Sequence, residues 1–407
     1  MSALSIENAA QVLRPPGDGL PYLRLDRAGD LGTEPGAVAI EAGRIAGFEP
    51  DATARRIDAS GGAVVPGLVD CHTHLPFAGW RADEYAMKVA GTPYEQIARR
   101  GGGIAASARA LAEASDEEVL EQAAGLAAEM LAHGTTTFET KSGYGLSEEG
   151  ELRALALAGR LREQVAQTTR STALLAHAVP EGRTADEWMD AVERLVPETT
   201  APALDIYVES VAFGLEHLER MGMIAAVNGR VLRAHVEQFS TMRSVPVALA
   251  VRARSVDHLA CLHPDDVGVL AAAECAAVLL PGAELLGDER LAPARALADA
   301  GAIGVLATDA NPGTSPIVSL PLIVGLAVRR YGWSVQEALA AVTLNAAWVL
   351  GLADELGSLE IGKRADVVVL DAPLEHVPYR LGHNPVAIVI AAGEVVHVRP
   401  DQAWRLR

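Results

Sequence analysis

From residue 63 to about 350 the sequence alternates short apolar runs with longer amphipathic stretches, and this limits the possible fold more than any other feature. Eight runs read as strands: AVVPGLVD (63–70), TTTFET (135–140), STALLAH (171–177), LDIYVES (204–210), VLRAH (231–235), SVDHLA (255–260), AAVLLP (276–281) and IGVLATD (303–309). Each is nearly continuous in apolar character, as strands covered on both faces of a parallel sheet are. Helix signals separate them. Ser115 with Glu118 and Thr184 with Glu187 have capping-box spacing, and Gly134 follows a helical run as a stop. The pattern predicts an α/β fold, a (β/α)8 TIM-like barrel over residues 63–356, in preference to an open doubly wound sheet.

The ends read differently. Residues 1–62 contain AVAIEAGRIAGFEP, with a tight turn at Gly43-Arg44, and residues 357–407 contain ADVVVLD and AIVIAAGEVVHV. Both segments are β-rich and lack long helices. They are expected to pair as one composite β-sandwich domain built from the two termini.

Composition narrows the class of partner. The 407 residues are 50% hydrophobic, enough for one large core and a smaller appended domain. Asp plus Glu number 53 against 34 for Lys plus Arg, a net charge of −19 with no basic block. Nucleic acid and anionic membrane are therefore excluded as partners. A small anionic substrate remains open wherever a few local cations outweigh the field. Cys71, Cys261 and Cys275 have no paired spacing, which fits a reducing compartment. The N-terminus lacks a basic segment followed by an apolar one, and no apolar run reaches the ~18 residues of a membrane span. The expectation is a cytoplasmic protein.

Chemistry concentrates where the strands end. In PGLVDCHTH, His72 and His74 are two residues apart, so on an extended chain both imidazoles face one side while Cys71 and Thr73 face the other. His177, His235, His258 and Asp309 fall at or near the ends of the third, fifth, sixth and eighth strands. Barrels build their sites at that C-terminal rim. One rim histidine is ordinarily only a polar residue. Five together with an aspartate make a donor set suited to zinc or iron.

PGLVDCHTH, the isolated strand-end histidines, Asp309 and the tail GSLEIGKRADVVVLD resemble the metal-dependent amidohydrolase superfamily. Within it the chain is similar to the imidazolonepropionase family through RADEY (81–85), YEQIARRGGGI (94–104), HGTTTFETKSGYGL (133–146), AHAVP (176–180), HVEQ (235–238), VDHL (256–259), TDANPGTSP (308–316) and GHNPV (382–386). The resemblance implies one Zn(2+) or Fe(3+) per chain, held by His72, His74, His235 and Asp309. It implies ring opening of 4-imidazolone-5-propanoate by an activated water, and it inclines toward a homodimer. By the same resemblance Arg81 binds the propanoate, Tyr144 orients the substrate and His177 hydrogen-bonds the ring oxygen. Asn311, Gly313 and Thr314 then hold the product. Gln238 positions substrate or water, since a carboxamide cannot act as a base, and proton transfer falls to His258 and Asp309.

Some alternatives stay open. Glu237 departs from the aspartate common in the family at that point, which leaves the base unsettled. Binuclear relatives carry a carboxylated lysine after the fourth strand; here that strand ends in Glu209, a bridging ligand or a hydrogen-bonded rim carboxylate, and Lys141 follows the second strand. Rival functions are a related amidohydrolase acting on another small cyclic amide or acyl amino acid, and a catalytically dead barrel used for binding.

Overall fold

A computed structural model describes residues 3–92, 96, 97, 101–287 and 290–407. Of the stretch YEQIARRGGGI, residues 94, 95 and 98–100 lie outside the described residues. Eight strands lie side by side in chain order: Leu68–Asp70, Thr135–Lys141, Thr168–Ala176, Ala203–Val208, Val231–Val236, Ser255–His258, Ala276–Leu279 and Ile303–Leu306. All neighbouring pairs are parallel. The first and last strands meet just past their ends, where Asp309 N donates to His72 O at 3.0 Å and His74 N donates to Ala310 O at 2.9 Å. The barrel closes at the very residues expected to bear its chemistry.

The helices form as their signals predict. Asp116–Ala132 and Ala185–Leu195 both begin with reciprocal capping boxes, Ser115 with Glu118 and Thr184 with Glu187. Each box satisfies two amide donors that a helix start leaves without partners. Trp188, Met189, Val192 and Leu195 turn one face of the second helix inward. The fully buried Trp188 ring donates from Nε1 to Leu175 O at 2.8 Å, which fixes that helix to the third strand.

The run 63–70 is two strands, not one. Ala63–Pro66 pairs antiparallel with Val367–Leu370, whereas Leu68–Asp70 begins the barrel. Gly67 makes the crossing: its N–H donates to Asp366 O at 2.8 Å, and the next N–H, on Leu68, donates to Gly134 O at 3.0 Å. Apolar character cannot reveal such a break, because both halves are buried.

The remaining strands form two sheets. One has four strands, in the order Arg44–Gly47, Gly36–Glu41, Leu4–Ala9, Arg55–Asp58. The other has five, in the order Glu394–Val398, Val386–Ala391, Val367–Leu370, Ala63–Pro66, Gln11–Val12. Ile6, Val38, Ile40 and Ile57 of the first share a core with Val64, Val367, Val369 and Ile388 of the second. The turn expected at Gly43-Arg44 sits one residue earlier, at Ala42-Gly43, with φ of 50° and 79°. Two positive φ values in succession match the twist of a two-residue hairpin. No helix among the described residues is long and apolar enough to cross a membrane.

A Cβ on Gly67 would lie 2.1 Å from Thr136 Oγ1 and 2.9 Å from Asp366 Cβ, so the terminal sheet and the barrel are in contact there. Gly67→Ala should therefore lower stability by about 1–3 kcal/mol, the usual cost of overpacking. Denaturant unfolding checks this; an unchanged midpoint would show that the junction is loose.

Candidate active site

The imidazoles and the rim aspartate converge as the strand spacing requires. His72, His74, His177, His235, His258 and Asp309 are all buried. Asp309 Oδ1 lies 3.4 Å from His72 Nε2 and 3.2 Å from His74 Nε2. The His72 ring is centred 4.5 Å from His235 and 5.7 Å from His258. Two overlapping groups bring their donor atoms within 4.8 Å of one another: His72 with His74 and Asp309, and His72 with His235 and His258.

The free nitrogens test whether a metal suits this cluster. His72 Nδ1 meets Asp257 Oδ2 at 2.6 Å and His235 Nδ1 meets Asp205 Oδ1 at 3.1 Å. A carboxylate accepts, so each Nδ1 carries the proton and each Nε2 presents a lone pair. Both Nε2 atoms are buried with no hydrogen-bond partner, as is His74 Nδ1. Unpartnered buried nitrogens are costly. Imidazole lone pairs gathered beside a carboxylate fit zinc or iron.

Burial sets the protonation around them. It pushes His258 down to about 4 and His177 down to about 3, so both are neutral at ordinary pH. It also lowers His74 and His235. His72 ends above the usual imidazole value: burial and the Lys141 charge oppose protonation, but Asp257 and Asp309 outweigh them. Burial would raise Asp309, yet the imidazoles of His72 and His74 beside its carboxylate hold it well below the usual carboxylate range.

The cavity above the cluster is lined by His74, Arg81, Tyr144, His177, Tyr207, His235, Gln238, His258, Asp309, Asn311 and Thr314 among others. Arg81 is buried, and its Nε and Nη1 have no hydrogen-bond partner. Its only charged neighbour among the described residues is Glu84, with Oε2 3.7 Å from Nε. Arg81 N donates to Pro312 O at 2.9 Å, which ties the first loop to the turn after the eighth strand.

Other groups have structural duties. Glu151 accepts from the amides of Gly143, Gly145 and Leu146, holding the SGYG loop with Tyr144 against the cavity. Glu237 accepts from Met242 N and Ser244 N, and Glu209 from Phe239 N and Ser240 N. Both carboxylates thus shape the loop that presents Gln238. Glu209 is the hydrogen-bonded rim carboxylate of the two readings left open. Lys141, at the end of the second strand, is ion-paired to Asp205 at 2.6 Å and Glu139 at 3.0 Å.

In the turn 311–314, Asn311 Oδ1 accepts from Gly313 N at 2.9 Å and Thr314 N at 2.8 Å. Those two amides are therefore engaged within the turn. His177 Nδ1 lies 2.9 Å from Gly143 O. A carbonyl only accepts, so Nδ1 is the donor, and the neutral ring keeps only a lone pair at Nε2. His177 in that form cannot donate to a ring oxygen as expected. The reading of the sequence also missed Tyr207, Glu139, Asp205, Arg233 and Asp257; their signal was charge or a phenol inside otherwise apolar strands.

Relatives match nearly the whole chain. An imidazolonepropionase of Cupriavidus pinatubonensis is 42% identical over 392 residues, 92% of either chain. One from Geobacillus kaustophilus is 38% identical, covering 97% of this chain and 98% of its own. The chain belongs to the imidazolonepropionase family. The broader amidohydrolase family matches residues 211–396. Among solved structures, a zinc-bound adenosine deaminase from Xanthomonas campestris superposes with a TM-score of 0.69 at 21% identity, covering 97% of this chain and 93% of its own. A 5-methylcytosine deaminase from Klebsiella pneumoniae superposes with a TM-score of 0.74 at 16% identity and 97% of each chain. At those identities the likeness concerns the fold alone. The amidohydrolase family is metal-dependent, and this chain has a His/Asp cluster that suits a metal.

A Cβ on Gly313 would fall 1.5 Å from Arg81 Nη2. Gly313→Ala should therefore displace the guanidinium and weaken carboxylate binding nearly as much as Arg81→Ala does, with little change in Tm. Titration with glutarate together with a melting curve checks both parts. Binding equal to the parent's would mean that Arg81 does not need this floor.

Proposed function

We propose that the chain hydrolyses 4-imidazolone-5-propanoate to N-formimidoyl-L-glutamate, with one zinc or iron(III) ion held by His72, His74, His235 and Asp309. The observation that carries this reading is a buried arginine with unpartnered N–H groups, opening on the same cavity as the imidazole and carboxylate cluster. On a chain of net charge −19 such a cation selects an anion locally. The family's name supplies which anion. When bound, the ion lowers the pKa of a ligated water to around 7 and makes hydroxide available at neutral pH.

The chain's own residues supply the rest. Arg81 grips the propanoate through two parallel hydrogen bonds and aims the ring at the cluster. Tyr144 steadies the ring from the SGYG loop. His177, with its proton on Nδ1, accepts the ring N–H at Nε2. Gln238 positions the attacking water or the ring.

Water oxygen adds to the ring carbonyl carbon, the bond from that carbon to the adjacent ring nitrogen breaks, and the carbon becomes the new carboxylate. Asp309 and the neutral His258 take the water's proton and return it to the departing nitrogen. Glu209 and Lys141 are engaged elsewhere, which favours one ion over two.

Asp309→Ala should lose both metal and turnover; metal-free protein that still opens imidazolonepropanoate at the parent rate, followed by ultraviolet absorbance, would overturn the reading. Bound metal should also fall as the solution is acidified, because protons compete for the ligand nitrogens. His258 shares a donor cluster with His72 and His235, so its role needs its own test. His258→Ala should keep its metal while kcat falls by roughly 10²–10⁴. Loss of the metal in that variant would make His258 a ligand.

A further inference from the structure

Barrel interiors are usually filled with branched apolar side chains. Beneath this rim lie instead Glu139, Lys141, Asp205, Arg233 and Asp257, each no more than 1% exposed. Inward-facing positions alternate along strands, and register places Asp205 beside Arg233 and His235 beside Asp257 on adjacent strands. Stability alone does not account for the cluster, since well-packed apolar residues often serve as well as a buried ion network.

The contacts run in two chains that end on imidazoles. Lys141 Nζ donates to Asp205 Oδ2 at 2.6 Å, and the other oxygen of Asp205 faces His235 Nδ1 at 3.1 Å. Arg233 Nη2 donates to Asp257 Oδ2 at 2.7 Å, and that oxygen also faces His72 Nδ1 at 2.6 Å. Glu139 joins the chains, accepting from Arg233 and lying 3.0 Å from Lys141 Nζ. Ser255 Oγ donates to Asp257 Oδ1 at 2.6 Å and Ile206 N to Asp205 Oδ1 at 2.8 Å, so both carboxylates are fixed in plane. Three carboxylates against two cations leave the cluster one negative charge in excess, directly behind the nitrogens that face the site.

We propose that Lys141 and Arg233 are positioning residues for the metal: through Asp205 and Asp257 they fix the ring orientation and tautomer of His235 and His72, so that both Nε2 lone pairs point at one cation. The proposal rests on the metal reading above but not on the substrate. Outer partners of metal-bound histidines typically govern affinity by 10–100-fold.

The test loads the full-length protein with zinc and measures its affinity by competition with a chromophoric chelator. The visible spectrum of the cobalt-loaded protein reports the ligand field. Lys141→Met should weaken zinc binding by roughly 10–100-fold and shift the cobalt bands. Asp205→Asn, which keeps the shape and removes the charge, should act in the same direction and decides the matter if Lys141→Met fails to fold. Arg295→Met, which removes an ion pair to Glu337 on a distant face, is the control for general destabilisation and should leave both readouts unchanged.

Parent-like zinc affinity and cobalt spectra in folded Lys141→Met and Asp205→Asn would overturn the proposal. Neither readout involves imidazolonepropanoate. A parent that binds zinc but does not open the ring would sink the substrate reading and leave this one standing.

Discussion

Asp257 accepts from a guanidinium and faces an imidazole with the same oxygen, in the sealed interior of the barrel. Much of the molecule follows from having to satisfy that arrangement. A buried carboxylate is tolerable only when its partners are complete. Completing them brings in Arg233, which is itself completed by Glu139, Ser255 Oγ and Cys71 O. Glu139 in turn lies against Lys141, and Lys141 against Asp205. The network touches strands two, four, five and six and ends on the residues that follow strand one. Side-chain direction, strand register and the histidine cluster are thus one construction. A one-residue slip of the fifth strand would turn Arg233 and His235 outward together.

The walls above the network follow a second rule, in which loop amides are gathered by buried side chains. Glu151 gathers the SGYG loop, Glu209 and Glu237 the loop around Gln238, and Asn311 the turn after the eighth strand. Each gathering residue lies beside a residue that lines the cavity. Loops fixed this way present Tyr144, Gln238 and Thr314 without needing a ligand to order them, and preorganisation of this kind lowers the entropic cost of binding. Against these acidic supports the buried guanidinium of Arg81 is the cation that lines the cavity among the described residues.

The legibility of the sequence follows the same physics. All eight barrel strands were readable because a strand covered on both faces is a short, nearly unbroken apolar run. The histidines stood out because each is an isolated polar residue at such a run's end. The split at Gly67 was hidden, since Ala63–Pro66 and Leu68–Asp70 are equally buried in different sheets. The inner charges were visible as letters in TTTFETK, LDIYV, VLRAH and SVDH, yet an Asp or Arg near the end of a strand reads equally well as a solvated rim. Only packing shows that these side chains face inward and find one another. The turn at 311–314 was legible as a turn. That its own asparagine occupies the amides of Gly313 and Thr314 depends on a side-chain conformation no spacing encodes.

Backbone geometry at the rim shows what the fold gives up for the site. Glu237, His258, Leu259 and Asp309 adopt φ values of 54°, 81°, 68° and 54°, a region glycine enters freely and other residues enter at a cost of order 1 kcal/mol or more. Three of the four immediately follow or complete strands that carry cavity side chains. Glycine would relax each turn, but it would remove the carboxylate that shapes the Gln238 loop, the imidazole beside His72, or the carboxylate that meets His72 and His74. The strained conformation is held by Leu259 N donating to Val236 O at 3.2 Å and by Asp309 N donating to His72 O at 3.0 Å. The second of these bonds also closes the barrel. Seam and site therefore share their hydrogen bonds, and the strain at Asp309 is offset by the same pairing that makes the sheet continuous.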